Sequence, residues 1–196
     1  TATDPKTGEA MPPEKVYDNA VVFLAAGHET TSNTLQWTLF LLSEHPDWDR
    51  WVCGEIARVM EGGPPTAERL DRLVETRMVV EEAMRLYPPV PFIPRVPSEP
   101  DVLDDVRVVP GDLVFTSPFV TQRHHAYWDA PDRFRPERFA PGTREAIAEG
   151  AYFPFGTGAR ACLGARFAMQ EVLAVLAVLL PRLRFEAVAP ERVFPF

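Results

Sequence analysis

The chain has 196 residues, 46% hydrophobic and 24% charged, enough material for one globular domain. Its 28 acidic and 20 basic residues leave a formal charge of −8, without a basic tract or zinc-finger spacing, which argues against a nucleic-acid partner. Cys53 and Cys162 make no disulfide framework and the longest apolar runs fall short of a membrane span, so a cytoplasmic location is expected.

Pro12 and Pro13 suit the first turn of a helix, and Val16, Ala20, Phe23, Leu24, Gly27, Thr31, Leu35, Leu39 and Leu42 carry helical spacing to about Ser43. About 30 residues give roughly 45 Å of helix. A small domain cannot bury that alone, so a larger body is expected around it. A second helix runs from His45-Pro46 to Met60, ended by Gly62-Gly63-Pro64-Pro65. Thr66 opens a short third helix, with Arg69 where a capping box would place a glutamate. Residues 75 to 87 form a fourth, stopped by Pro88-Pro89, and the prolines as far as Pro94 stiffen an extended path. Short strands at Val106–Val109 and Leu113–Thr116 flank the turn Pro110-Gly111-Asp112. Residues 121 to 154 read as loop with a short helix near 143 to 149, and residues 165 to 180 as a final helix with a wide buried face. The fold class is mainly α with small β elements.

Cys162 ends a glycine-rich turn and is expected at the first turn of that last helix, where unpaired N–H groups and the dipole favour a thiolate. A thiolate binds iron or zinc, whereas a lone cysteine is otherwise a small core residue. Gly156 and Gly158 permit the tight turn, Gly164 leaves room for a bulky group, and Arg160 can neutralise an acid on it. One axial thiolate in an open, flat setting suits haem better than zinc, which wants about four protein ligands. Ala26 and Thr30 share a helix face with Gly27 beside them, which fits either close helix packing or a groove for a flat cofactor and a small ligand. Glu82 and Arg85 lie among the apolar Met78, Val79, Ala83 and Leu86, so a buried pair is expected, with Arg138 as its third member. His124-His125 lacks further ligands for a metal, and Cys53 reads as a packing or surface residue.

Four segments in order carry a resemblance to the cytochrome P450 family. They are Ala26-Gly27-His28-Glu29-Thr30-Thr31, Glu82-Ala83-Met84-Arg85, Pro136-Glu137-Arg138-Phe139 and the ten residues from Phe155 to Gly164. The resemblance covers about residues 4 to 185. It implies the carboxy-terminal portion of a P450-type fold over residues 1–196, with the amino-terminal half and terminal strands absent. The opening residues Thr1 to Gly8 resemble the loop before the family's long central helix, and Phe194-Pro195-Phe196 falls where members continue into strands. A subunit, a fragment and the ordered part of a longer protein all remain open, and the isolated chain is expected to hold haem weakly or aggregate.

The resemblance further implies haem b with Cys162 as its axial thiolate and metal ligand. Ala26, Gly27, Phe155, Gly156 and Gly164 would lie against the cofactor, and Arg95, Arg160 and His124 would meet its propionates. Glu29 and Thr30 would deliver protons for O–O cleavage. Glu82, Arg85 and Arg138 would be structural, while Val90 and Phe92 would face a small apolar organic substrate. The activity implied is hydroxylation or epoxidation with O2 and two electrons from a ferredoxin or flavodoxin-type donor, docked on a basic patch that includes Arg166. Peroxygenase or isomerase chemistry and a noncatalytic fragment are the alternatives. Gln122 departs from the family's pattern, where a histidine often stands.

Overall fold

The computed structural model describes residue 3 and residues 7–193. The expectations for Thr1, Ala2, Asp4, Pro5 and Lys6 and for Phe194-Pro195-Phe196 lie outside them. Six helices dominate: α1 (Pro13–Glu44), α2 (Pro46–Met60), α3 (Ala67–Asp71), α4 (Val74–Leu86), α5 (Pro118–Thr121) and α6 (Ala165–Leu179). Four three-residue strands, β1 (Ile93–Arg95), β2 (Asp101–Leu103), β3 (Val106–Val108) and β4 (Val114–Thr116), make two small antiparallel sheets.

The core lies where α2, α4, α6 and the carboxy-terminal half of α1 meet. Val52 and Ile56 of α2, Val79 and Val80 of α4 and Leu173 and Leu176 of α6 are fully buried there. Each such side chain stabilises the fold by about 1.5–3 kcal/mol relative to exposure. The helix boundaries agree with the periodicity to within a residue or two, including the Thr66 cap, whose hydroxyl accepts from the Arg69 N–H at 3.4 Å. α1 divides in two. Its residues 13–29 are exposed, among them Val16, Tyr17, Val21, Val22, Phe23 and Leu24, and only from Thr31 onward does it pack on α2, α4 and α6.

α4 is the most enclosed helix, with every residue from Met78 to Leu86 buried. Its N-cap, Leu73, offers no side-chain acceptor, and the cap comes from α2 instead. The buried Glu55 carboxylate accepts from the Glu75 N–H at 2.7 Å, the Thr76 N–H at 2.8 Å and the Thr76 hydroxyl at 2.7 Å. A full negative charge thus meets the positive end of α4 and fixes its height against α2.

Three expectations are corrected. β3 and β4 do not pair with each other. β3 pairs with β2 through the two-residue turn Asp104-Asp105, where Asp104 takes φ 58°, and β4 pairs with β1 in the register Ile93↔Thr116. Asp tolerates the left-handed conformation at this first turn position, and the Pro110-Gly111-Asp112 turn instead carries the chain between sheets. Asp112 Oδ2 holds it by accepting from the Val109 N–H at 2.8 Å. The helix near 143 to 149 shrinks to a 3-10 turn at Arg144–Ala146, and the stretch expected as loop from residue 121 contains a 3-10 turn at Pro136–Phe139, while α5 just before it had no counterpart in the expected elements. α6 starts at Ala165 with Gly164 as N-cap, so Cys162 lies ahead of the helix rather than in its first turn.

Candidate functional site

Glu82 and Arg85 are both fully buried on α4 and paired, with Nε to Oε2 at 2.6 Å and Nη2 to Oε1 at 2.9 Å. Arg85 also donates from Nη1 to the carbonyls of Gln122 and Pro131, each at 2.7 Å, and from Nη2 to that of Arg133 at 3.2 Å. All five of its N–H donors are therefore used. The Trp128 ring lies 4.9 Å from its guanidinium carbon. Glu82 Oε1 accepts in addition from the Arg135 N–H at 2.8 Å and lies 3.5 Å from Arg138 Nε. Burial pushes the Arg138 pKa down, and Glu82 opposes that shift. The pair is thus a hub that pins residues 122–138 to α4.

Beside it, Glu81 pairs with Arg144, and its carbonyl accepts from the Tyr152 hydroxyl at 3.1 Å. Burial raises the Glu81 pKa, with Arg144 and Arg77 pulling the other way. The folded chain therefore holds the Glu81 proton more tightly than the unfolded chain does. Stability should fall as pH rises from the ordinary glutamate range through that raised pKa, because ionisation costs more in the fold. Glu81→Gln should flatten that limb in thermal melts at stepped pH. A wild-type limb without this fall would contradict the assignment.

The loop before α6 is shaped by two glycines at positive φ, Gly156 (+69°) and Gly158 (+69°). A short 3-10 turn at Gly158–Arg160 follows, and the Cys162 N–H closes the loop on the Phe155 carbonyl at 2.8 Å. Ile93 of β1 approaches to 3.9 Å of a methyl group placed on Gly156, so the extended proline segment runs alongside. The Cys162 thiol is free and exposed. Leu163, next in sequence, is 91% exposed and Phe167 on α6 is 72% exposed. Phe155 is half-buried and packs against the main core.

On α1, the Thr30 hydroxyl donates to the Ala26 carbonyl at 2.7 Å, which leaves its oxygen free to accept. Glu29 is exposed, and a methyl group at Gly27 would meet nothing within 4 Å. The Thr31 hydroxyl, one residue on, is buried without a partner. Val90 and Phe92 are exposed. Arg95 donates only to its own neighbour's carbonyl, Pro94, at 2.8 Å, and Arg160 makes no ion pair among the described residues. His124 is exposed; its Nδ1 accepts from the Ala126 N–H at 3.1 Å and its ring tilts against Tyr127, neither of which belongs to the cysteine loop.

Two residues escaped the sequence reading. Gln122 is fully buried, with its carboxamide between the end of α4 and the segment leading to the cysteine loop. The only signal for it was its departure from a histidine. Glu55, the cap of α4, looked like any surface glutamate on an amphipathic helix. Its partners lie 20 and 21 residues away, beyond any local pattern.

A cytochrome P450 family profile matches residues 2–195. The chain is 34% identical over 194 residues to cyclooctatin synthase of Streptomyces melanosporofaciens, covering 99% of this chain and 42% of that protein. It is 36% identical over 183 residues to pentalenene oxygenase of Streptomyces avermitilis, covering 93% and 41%. The crystal structure of the cytochrome P450DA heme domain superposes with a TM-score of 0.87 at 34% identity, over 91% of this chain and 40% of that one. The chain therefore spans about two fifths of the length of these relatives. No helix among the described residues is long and apolar enough to cross a membrane. With a matched profile over nearly its whole length and a mainly helical fold of the same topology, the chain belongs to the cytochrome P450 family.

Proposed function

We propose that residues 1–196 are the carboxy-terminal, haem-binding part of a bacterial-type P450 monooxygenase. It would hydroxylate or epoxidise an apolar organic substrate with O2 and two electrons from a ferredoxin or flavodoxin-type donor. One observation carries the reading: a free, exposed thiol at the end of a hydrogen-bonded glycine loop, followed in sequence by apolar side chains that no described residue covers. The residues present fit haem b. Leu163 and Phe167 offer exposed apolar side chains just after the cysteine, Gly27 leaves open space, and Arg95 and Arg160 have no carboxylate partner among the described residues.

Bound there, haem supplies the binding and reductive activation of O2. Cys162 would hold it through its thiolate, and Phe155, whose carbonyl accepts from the Cys162 N–H, would limit hydrogen bonding to the sulfur. Arg95 and Arg160 would pair with the propionates, and His124 would serve as a third partner. Ala26, Gly27, Gly156 and Gly164 are small where the flat group must approach. Thr30 Oγ1, oriented by its donation to Ala26, accepts from a water on that face, and exposed Glu29 exchanges protons between that water and solvent. Val90 and Phe92 form the substrate wall from the rigid proline segment. The Glu82–Arg85–Arg138 hub holds the loops that carry the thiolate. Arg166, Arg77 and Arg144 line a cleft of about 380 Å³ against α6 together with Glu81, the partner of Arg144, which leaves a net positive surface for an acidic donor.

The remaining portion of the family's fold, on the same or a separate chain, covers residues 13–29 of α1. Support comes from the relatives' greater length and from the exposed Phe23 and Leu24. Two free thiols agree with a cytoplasmic setting. The reduced carbonyl complex of the complete haem-loaded protein should show the red-shifted Soret band of thiolate ligation. A band at the neutral-ligand position with Cys162 intact overturns the assignment. Thr30→Ala should divert electrons from product to peroxide, whereas turnover that ignores this change marks an isomerase.

A further inference from the structure

Gln122 occupies a junction. The last carbonyls of a helix lack intrahelical donors, and for α4 those of Met84, Arg85 and Leu86 are buried. Gln122 Nε2 donates to the first two, at 3.0 and 3.2 Å, and Arg123 donates to the third. At its other end Gln122 Oε1 accepts from the Phe153 N–H at 3.0 Å. Phe153 in turn accepts from the Gly156 N–H at 3.0 Å, and Phe155 accepts from the Cys162 N–H at 2.8 Å. One fully buried carboxamide thus ties the end of the α4 hub to the strand of chain whose next hydrogen bonds set the cysteine turn.

We propose that Gln122 is a positioning residue for Cys162, fixing the entry of the cysteine loop against α4 through a linkage that needs two donors and one acceptor at once. The proposal rests on Cys162 being the thiolate ligand. Only a neutral amide of this length supplies that set. A methionine fills the volume and supplies none of it, and a glutamate keeps the acceptor but loses both donors. A neutral histidine offers one donor and one acceptor, and protonation removes the acceptor that Phe153 requires. The charged and titratable groups around the site are Arg85 and Glu82 on α4, Tyr87 just past it, Arg123 on its own turn with Asp132 beside it, and Tyr152 and Arg138 on the packed loops.

The test uses the complete haem-loaded protein with Gln122→Met, Gln122→Glu and Gln122→His, and Val52→Ala as a core-destabilised control remote in sequence from the loop. Amide exchange and the reduced carbonyl spectrum are read on each. Gln122→Met should speed exchange at Phe153, Gly156 and Cys162 by roughly tenfold or more, since a buried donor loses its acceptor. It should also move part of the Soret band to the neutral-ligand position. Val52→Ala should lower unfolding stability without either change. Gln122→His, one donor short, should shift part of the band near neutral pH and more of it on acidification, as the acceptor for Phe153 is lost, a profile absent from the wild type. Gln122→Glu decides the matter if the methionine variant does not fold, with faster exchange at Cys162 than in the wild type expected. Wild-type exchange and an unshifted band in the folded variants overturn the proposal, as does a band shift equal to that of Val52→Ala. A wild-type protein without the thiolate band sinks the ligation reading, while the exchange arm still decides whether Gln122 holds the loop.

Discussion

Arg85→Leu destabilises the fold by about 3–5 kcal/mol, because it leaves the Glu82 carboxylate buried and short of its main partner. The loss goes beyond the ion pair. Three carbonyls, those of Gln122, Pro131 and Arg133, lose their donor in the same substitution. A double variant, Glu82→Leu with Arg85→Leu, separates the two contributions. Where a buried pair stands alone, apolar replacement of both partners is often neutral or stabilising. Here the double variant should stay well below the wild type, since the Arg135 N–H and those three carbonyls remain unsatisfied. Denaturant midpoints and slopes for the wild type, both single variants and the double decide it. Full recovery in the double variant would reduce the hub to an ordinary ion pair.

Cys162→Ser in the complete protein removes the thiolate while leaving the loop closed, because the Cys162–Phe155 bond is made by the backbone. The expected outcome is a reduced carbonyl complex without the red-shifted band and monooxygenation below detection. Stability measured without haem should change by no more than about 0.5 kcal/mol, as for an exposed substitution away from packed features. Cys53→Ser is the matched control. Its sulfur is half-buried, with only a long contact of 3.9 Å to the Leu180 carbonyl, and the band should persist. Retention of the band in Cys162→Ser would move the ligand to another residue.

The two experiments probe opposite ends of one structural chain. Glu55 sets α4 against α2, and α4 pins residues 122–138 through Arg85 and Glu82. Gln122 then passes that placement to the segment before the cysteine. Loops that carry chemistry tolerate little error in position, and this one is held at its base by buried polar groups, which are costly to leave unpaired.

Helix existence was legible in the chain itself, since it follows from local spacing: the apolar positions of α1, the capping Thr66 and the proline stops after α4 and before α2 all act within a few residues. The cysteine loop was legible for the same reason, as its glycines and its sulfur lie within nine positions. The strand pairing was not, because β1 finds β4 across 21 residues and no local rule ranks that partner above the nearer β3. Nor was the burial of Glu55 and Gln122, two polar residues whose hydrogen-bonding partners arrive only when two segments have packed for the first and three for the second. Local sequence dictated which groups this protein presents. Packing alone decided which carbonyls, carboxylates and amides would be shut away from water, and so which had to find one another.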